Sequence, residues 1–120
     1  MNREIKFRAW NKKEEYMEIV DDLQMFSNDL SIGIPSKDYF LRKDDVELMQ
    51  YTGLHDKNGK EIYEGDIVKY ENMTGKIMFF NGSFILSDFE ETEEWELGVI
   101  NEEIEVIGNI YDNPELLGGE

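Results

Sequence analysis

From Val46 onward the chain reads as short apolar runs punctuated by turn signals. Asn58-Gly59, Glu64-Gly65-Asp66, Asn81-Gly82 and Asn113-Pro114 are the punctuation. An Asn-Gly pair supplies left-handed backbone at low cost, and between apolar runs it is the strongest short-range hairpin signal. The intervals read as short strands: Glu47–Leu54, Glu61–Tyr63, Asp66–Tyr70, Lys76–Phe80, Ser83–Ser87 and Glu103–Tyr111. Gly75 opens the fourth of these, after a loop over Glu71–Thr74. In the last strand Ile104, Val106, Gly108 and Ile110 share one side, and Pro114–Leu117 suits one helical turn. Short strands at such spacing predict a small barrel, whose closure removes exposed sheet edges. The order of strands and turns matches an SH3-type barrel, a fold analogy that carries no function.

The first 45 residues behave differently. Ile5, Phe7 and Ala9 alternate with Glu4, Lys6 and Arg8, and Trp10 joins the polar face, so this is a half-buried strand. A polar turn over residues 11–15 sends the chain back through Tyr16–Val20, making a hairpin. Over 21–45, Leu23, Phe26 and Leu30 have helical spacing, but Ser27, Asn28, Ser31 and Gly33 weaken it. Pro35 ends any helix and pushes Ile34 towards extended backbone. The expectation is therefore mainly β: a hairpin and an irregular, short-helical connector over 1–45, then an SH3-type barrel over 46–120.

Charge narrows the partners. The chain has 28 acidic and 12 basic residues, a net charge of −16, one histidine and no cysteine. Residues 1–60 hold ten basic and twelve acidic side chains, whereas 61–120 hold only Lys69 and Lys76 against sixteen acids, a net −14. Affinity for a phosphate backbone comes from Lys and Arg displacing counterions, so nucleic acid is disfavoured. Without cysteine there is no disulfide, thiol chemistry or cysteine zinc site. No apolar run is long enough to span a bilayer, and the start lacks a secretory apolar stretch, so a cytoplasmic location is expected. An acidic surface promotes solubility first. Concentrated on one half, it also suits docking on a basic partner protein, including one whose cleft normally holds phosphates.

Three blocks carry a family resemblance. REIKFRAW (Arg3–Trp10), YTGLHDKNGKEIYEGDIV (Tyr51–Val68) and EVIGNIYDNPELL (Glu105–Leu117) resemble the start, hallmark and ending of the YopX family of phage and prophage proteins. The middle block is long and unusual, and together the blocks reach both ends. The resemblance implies a C-terminal SH3-type barrel, a phage or prophage origin, residence in the host bacterial cell and frequent self-association. It implies no reaction, cofactor or catalytic residue. Residues 21–45 and 88–97 match nothing recognisable.

Each candidate for chemistry has a plainer structural account. Asp56-x-Asn58-Gly59 resembles the opening of a calcium loop, but Gly59 occupies a ligand slot and turns the chain too early. A hairpin turn in which Asp56 bonds nearby backbone explains it better. His55 adjoins Asp56, yet neighbours on a strand point to opposite faces, so no dyad follows. Glu64 and Asp66 flank Gly65 as a tight turn would require; a small hydrolase would need their pKa values pushed apart. Among fifteen aromatics, the sequential Phe79 and Phe80 must diverge, leaving one outside the barrel core.

The sharpest candidate is the acidic segment Glu90, Glu91, Glu93 and Glu94 around Trp95, suited to a basic groove with Trp95 as hot spot. Trp10 and Phe80 join it as candidate contact residues, available to another subunit. The plain account is a solvated loop. The reading is a non-enzymatic protein without cofactor or metal, acting by protein–protein contact and self-association. Its alternatives are single-strand nucleic-acid binding through barrel aromatics and a hydrolase using the turn carboxylates.

Overall fold

A computed structural model describes residues 5–118, apart from 21, 27–28 and 35–38. The chain forms two compact units, Asn2–Gln50 and Tyr51–Glu120.

In the N-terminal unit, β1 (Phe7–Asn11) pairs antiparallel with β2 (Tyr16–Val20), Ala9 facing Glu18. The other side of β1 takes the first half of β6 (Val46–His55), Ala9 facing Leu48. The predicted alternation appears as burial: Ala9, Val20 and Val46 form a small core against which Phe7 and Leu48 pack. Ile5, placed by its parity on the buried face, precedes the strand and stands 70% exposed.

Residues 21–45 correct the sequence reading. In place of an irregular connector with a helical turn, β3 (Asp22–Phe26), β4 (Asp29–Ile34) and β5 (Tyr39–Arg42) form an antiparallel three-stranded meander. A 3-10 turn over Lys43–Asp45 leads into β6. Leu23, Phe26 and Leu30 have helical spacing only if the chain is continuous through them; here Phe26 pairs with Asp29 across the β3–β4 connection. Ile34 is extended as expected, while Pro35 lies outside the described residues.

The C-terminal unit is built as the turn signals require. The second half of β6 pairs with β7 (Glu61–Tyr63). Next come β8 (Asp66–Tyr70), β9 (Met73–Phe80), β10 (Ser83–Asp88) and β11 (Glu94–Glu96). A short helix α1 (Leu97–Ile100) and a 3-10 turn (Asn101–Glu103) precede β12 (Glu105–Asn109). The antiparallel sheet has the order β11-β10-β9-β8-β12 and curls into a half-barrel. Four sequential strands, a helical turn and a fifth strand returning to the first make the small barrel-like domain expected. Leu97 and Val99 lie in α1, where Leu97 is buried and Val99 is 76% exposed.

The core holds Ile62, Val68, Ile77, Leu86, Leu97 and Ile104, all essentially inaccessible. Burying each such side chain favours folding by about 1.5–3 kcal/mol. Asn81 (φ 52°) and Gly82 (φ 84°) form the tight left-handed turn between β9 and β10. A side chain on Gly75 would strike the Ser87 carbonyl, so this position admits close approach of two strands and little else.

A candidate interaction surface on the acidic edge

Asp88 ends β10 and organises the acidic segment. Its Oδ1 accepts the backbone N–H groups of Thr92 (2.7 Å) and Glu93 (3.1 Å), and its Oδ2 accepts the Thr92 hydroxyl (2.5 Å). Its carbonyl accepts the N–H of Glu91, a residue held at φ 59°. The Thr92 hydroxyl bond, then the backbone donors led by Glu93, hold the Asp88 carboxyl below its ordinary pKa, against the opposing effect of desolvation. The glutamates therefore sit on a built turn. Glu90, Glu91, Glu93 and Glu94 are exposed, and Lys76 Nζ reaches Glu91 Oε2 at 3.0 Å.

Strand register sorts the aromatics. Leu86 faces Trp95 across β10–β11, and Phe84 faces Phe79 across β9–β10, so Trp95 and Phe79 share the core side. Trp95 is half-buried against the core and meets Tyr70 edge-on at 5.6 Å. Partial burial, then Glu71 and Glu103, raise the Tyr70 phenol above its ordinary pKa. Phe79 meets Phe84 edge-on at 4.9 Å yet remains 50% exposed. Phe80 is on the opposite, outward side with Glu94 and Glu96, also 50% exposed. There Ser83 Oγ, on the residue opposite Phe80, donates to Glu96 Oε1 at 3.1 Å. The structure thus brings Phe80 and Glu94 onto one face and turns Trp95 to the other. Trp10 lies in the N-terminal unit, half-buried on β1 opposite Met17 and Glu47.

The other candidates lie at strand ends and turns of the C-terminal unit. Asp56 is buried; Oδ1 accepts the N–H groups of Asn58 (2.8 Å) and Lys60 (2.9 Å), and Oδ2 accepts Val106 N–H (2.9 Å). Desolvation alone would raise its pKa, but the backbone donors of Val106, Lys60 and Asn58, with the Lys60 charge, bring it below the ordinary value. Only Gly59 of the Asn58-Gly59 pair takes positive φ. His55 is exposed at the end of β6, its ring edge-on to Tyr51, and its carbonyl accepts Asn101 Nδ2 at 2.8 Å. Asp66 is buried and its Oδ2 accepts Tyr63 N–H at 2.8 Å, closing the turn around Gly65 (φ 84°). Among the described residues, no group of three or more Asp, Glu or His could hold a metal ion, and no helix is long and apolar enough to cross a membrane.

Sequence reasoning passed over Asp88 and Ser83 and did not connect Lys76 with the acidic segment. An Asp at a strand end is suited to bond the backbone of the turn that follows, but five nearby glutamates drew attention instead.

Comparison with known proteins agrees with this architecture. The family model described as "YopX protein" matches residues 6–118. Protein EF1440 from Enterococcus faecalis, a crystal structure, is similar at 28% identity and a TM-score of 0.64, over 97% of this chain and 99% of that one. Protein yopX from Bacillus subtilis is similar at 27% identity and a TM-score of 0.66, over 93% and 95%. No curated protein matches. The three blocks of sequence, the curled sheet and the match across nearly the whole chain place this protein in the YopX family.

Proposed function

We propose that this chain is a phage or prophage accessory protein that works in the host cytoplasm by protein–protein contact, without catalysis or cofactor, and assembles with copies of itself. One observation carries the reading: Asp88 orders the turn that bears the exposed Glu90, Glu91 and Glu93, and the strand leaving it sets Glu94 and Glu96 on the same side as the half-exposed Phe80. A built acidic turn costs less ordering entropy on binding than a loose one, and carboxylates beside an apolar anchor suit a basic, partly apolar partner. The net −14 of residues 61–120 opposes phosphate backbones at the same place.

Light scattering coupled to gel filtration tests self-assembly: a multimer is expected, and a monomer at micromolar concentration removes that part. Gel retardation at low salt tests the partner class, since electrostatic binding is then strongest. No shift of single- or double-stranded DNA is expected; a clear shift favours the nucleic-acid alternative.

A further inference from the structure

The curled sheet has two end strands, and they are treated differently. Beside β12, the Asp56 carboxylate takes the Val106 N–H and the Lys57 N–H binds the Ile104 carbonyl at 3.0 Å, so the turn after β6 closes that edge. At the other end, no strand among the described residues pairs with β11 except β10.

The ladder shows which backbone groups this leaves. Asp88 N–H donates to the Glu93 carbonyl at 3.2 Å, so Asp88 and Glu93 form a hydrogen-bonding pair at the mouth of the β10–β11 turn. Antiparallel pairs alternate, which makes Leu86 with Trp95 the next bonding pair and leaves Ser87 with Glu94 and Ile85 with Glu96 as non-bonding pairs. The N–H and C=O of Glu94 and the N–H of Glu96 therefore point away from β10. The Glu96 carbonyl serves α1, where this residue is the N-cap. Both glutamates are exposed.

We propose that the open edge of β11 receives an extended, cationic segment of another protein, which joins the sheet as a further strand. This deepens the protein-contact reading and rests on it. The open backbone groups supply the site; the side chains choose the occupant. Opposed residues on adjacent strands stand roughly 5 Å apart. Lysines or arginines at alternate positions of the incoming strand meet Glu94 and Glu96 on one face. A second copy's β11 would set glutamate against glutamate, so this edge repels self-pairing while accepting a basic strand. Proline at a position facing β11 is excluded, because it has no N–H to donate.

The probe is a short synthetic peptide of alternating Lys and Thr, titrated into the full chain by calorimetry, with amide exchange read at Glu94 and Glu96. Its controls are an alternating Glu-Thr peptide and the Lys-Thr peptide N-methylated at alternate residues, made in both registers. Expected are binding of the Lys-Thr peptide, slowed exchange at Glu94 and Glu96, and no binding of the Glu-Thr peptide. Methylation in one register should weaken binding by about tenfold or more, the effect of one or two lost hydrogen bonds. Equal binding of both methylated peptides, or unchanged exchange at both residues, overturns strand addition. The broader reading then still stands or falls by light scattering and gel retardation. No binding of the Lys-Thr peptide at low salt also overturns the proposal.

Discussion

Thr92 gives both its backbone N–H and its hydroxyl to the Asp88 carboxylate, one to each oxygen. A hydrogen-bonding side chain thus fixes a segment whose own charges would otherwise drive it apart. Replacing Asp88 with Ala should speed amide exchange at Thr92 and Glu93 and leave exchange in β8 nearly unchanged, as nuclear magnetic resonance would show. Because the folded-state pKa of Asp88 is depressed, this ordering is fully present above the ordinary carboxylate range. It is lost as pH falls through the depressed value.

Asp56 should matter more to the whole fold. Asp56→Ala removes an acceptor from three backbone donors, two of them in its own turn and one in β12. The expected cost is about 2–4 kcal/mol in denaturant unfolding, since hydrogen bonds to a charged group are the strong kind and their donors would be left without a partner. Its pKa is also lowered, so the wild type should lose stability only as acid carries the pH below the ordinary carboxylate range, and Asp56→Asn should flatten that limb.

Gly75→Ala places a methyl group against the Ser87 carbonyl and within 2.9 Å of Leu86 Cδ1. Overpacking between strands should cost about 1–3 kcal/mol. At Gly82 a methyl group meets open space, but φ is 84°, so Gly82→Ala strains the turn by about 1 kcal/mol without touching the core. Thermal unfolding of the two variants should rank Gly75→Ala as the less stable.

Changing Glu90, Glu91, Glu93 and Glu94 together to Gln should leave circular dichroism intact, because the carboxylate that orders the turn belongs to Asp88. Binding of a basic partner should fall, with a weaker dependence on salt. A partner that binds the variant as well as wild type assigns these residues to solvation alone.

Much of the C-terminal unit was legible because its turns are chemically loud. Asn81-Gly82 fixed one hairpin, and Asp66–Tyr70 is the strand its pattern predicts. The face of Phe80 needed the register, since parity along one strand says which neighbours diverge and not which side the sheet covers. Trp95 looked like an exposed hot spot among glutamates, yet the pairing with Leu86 turns it onto the core. Residues 21–45 misled because short strands joined by tight connections can place apolar residues at helical intervals. Ile107 shows a subtler limit: the register slips between Val106 and Gly108, leaving it 39% exposed. Alternation alone cannot foresee an inserted residue.

The pairing of β12 with β8 sets a timetable for biosynthesis. Lys69 leaves the ribosome well before Glu105, the residue it must face. Once β9 has emerged, β8 has that strand on one side and lacks β12 on the other. A nascent chain stalled before Glu105 should therefore show a formed hairpin and remain sensitive to protease. Resistance should arrive in one step, once the returning strand and the Asp56 clasp on it can engage.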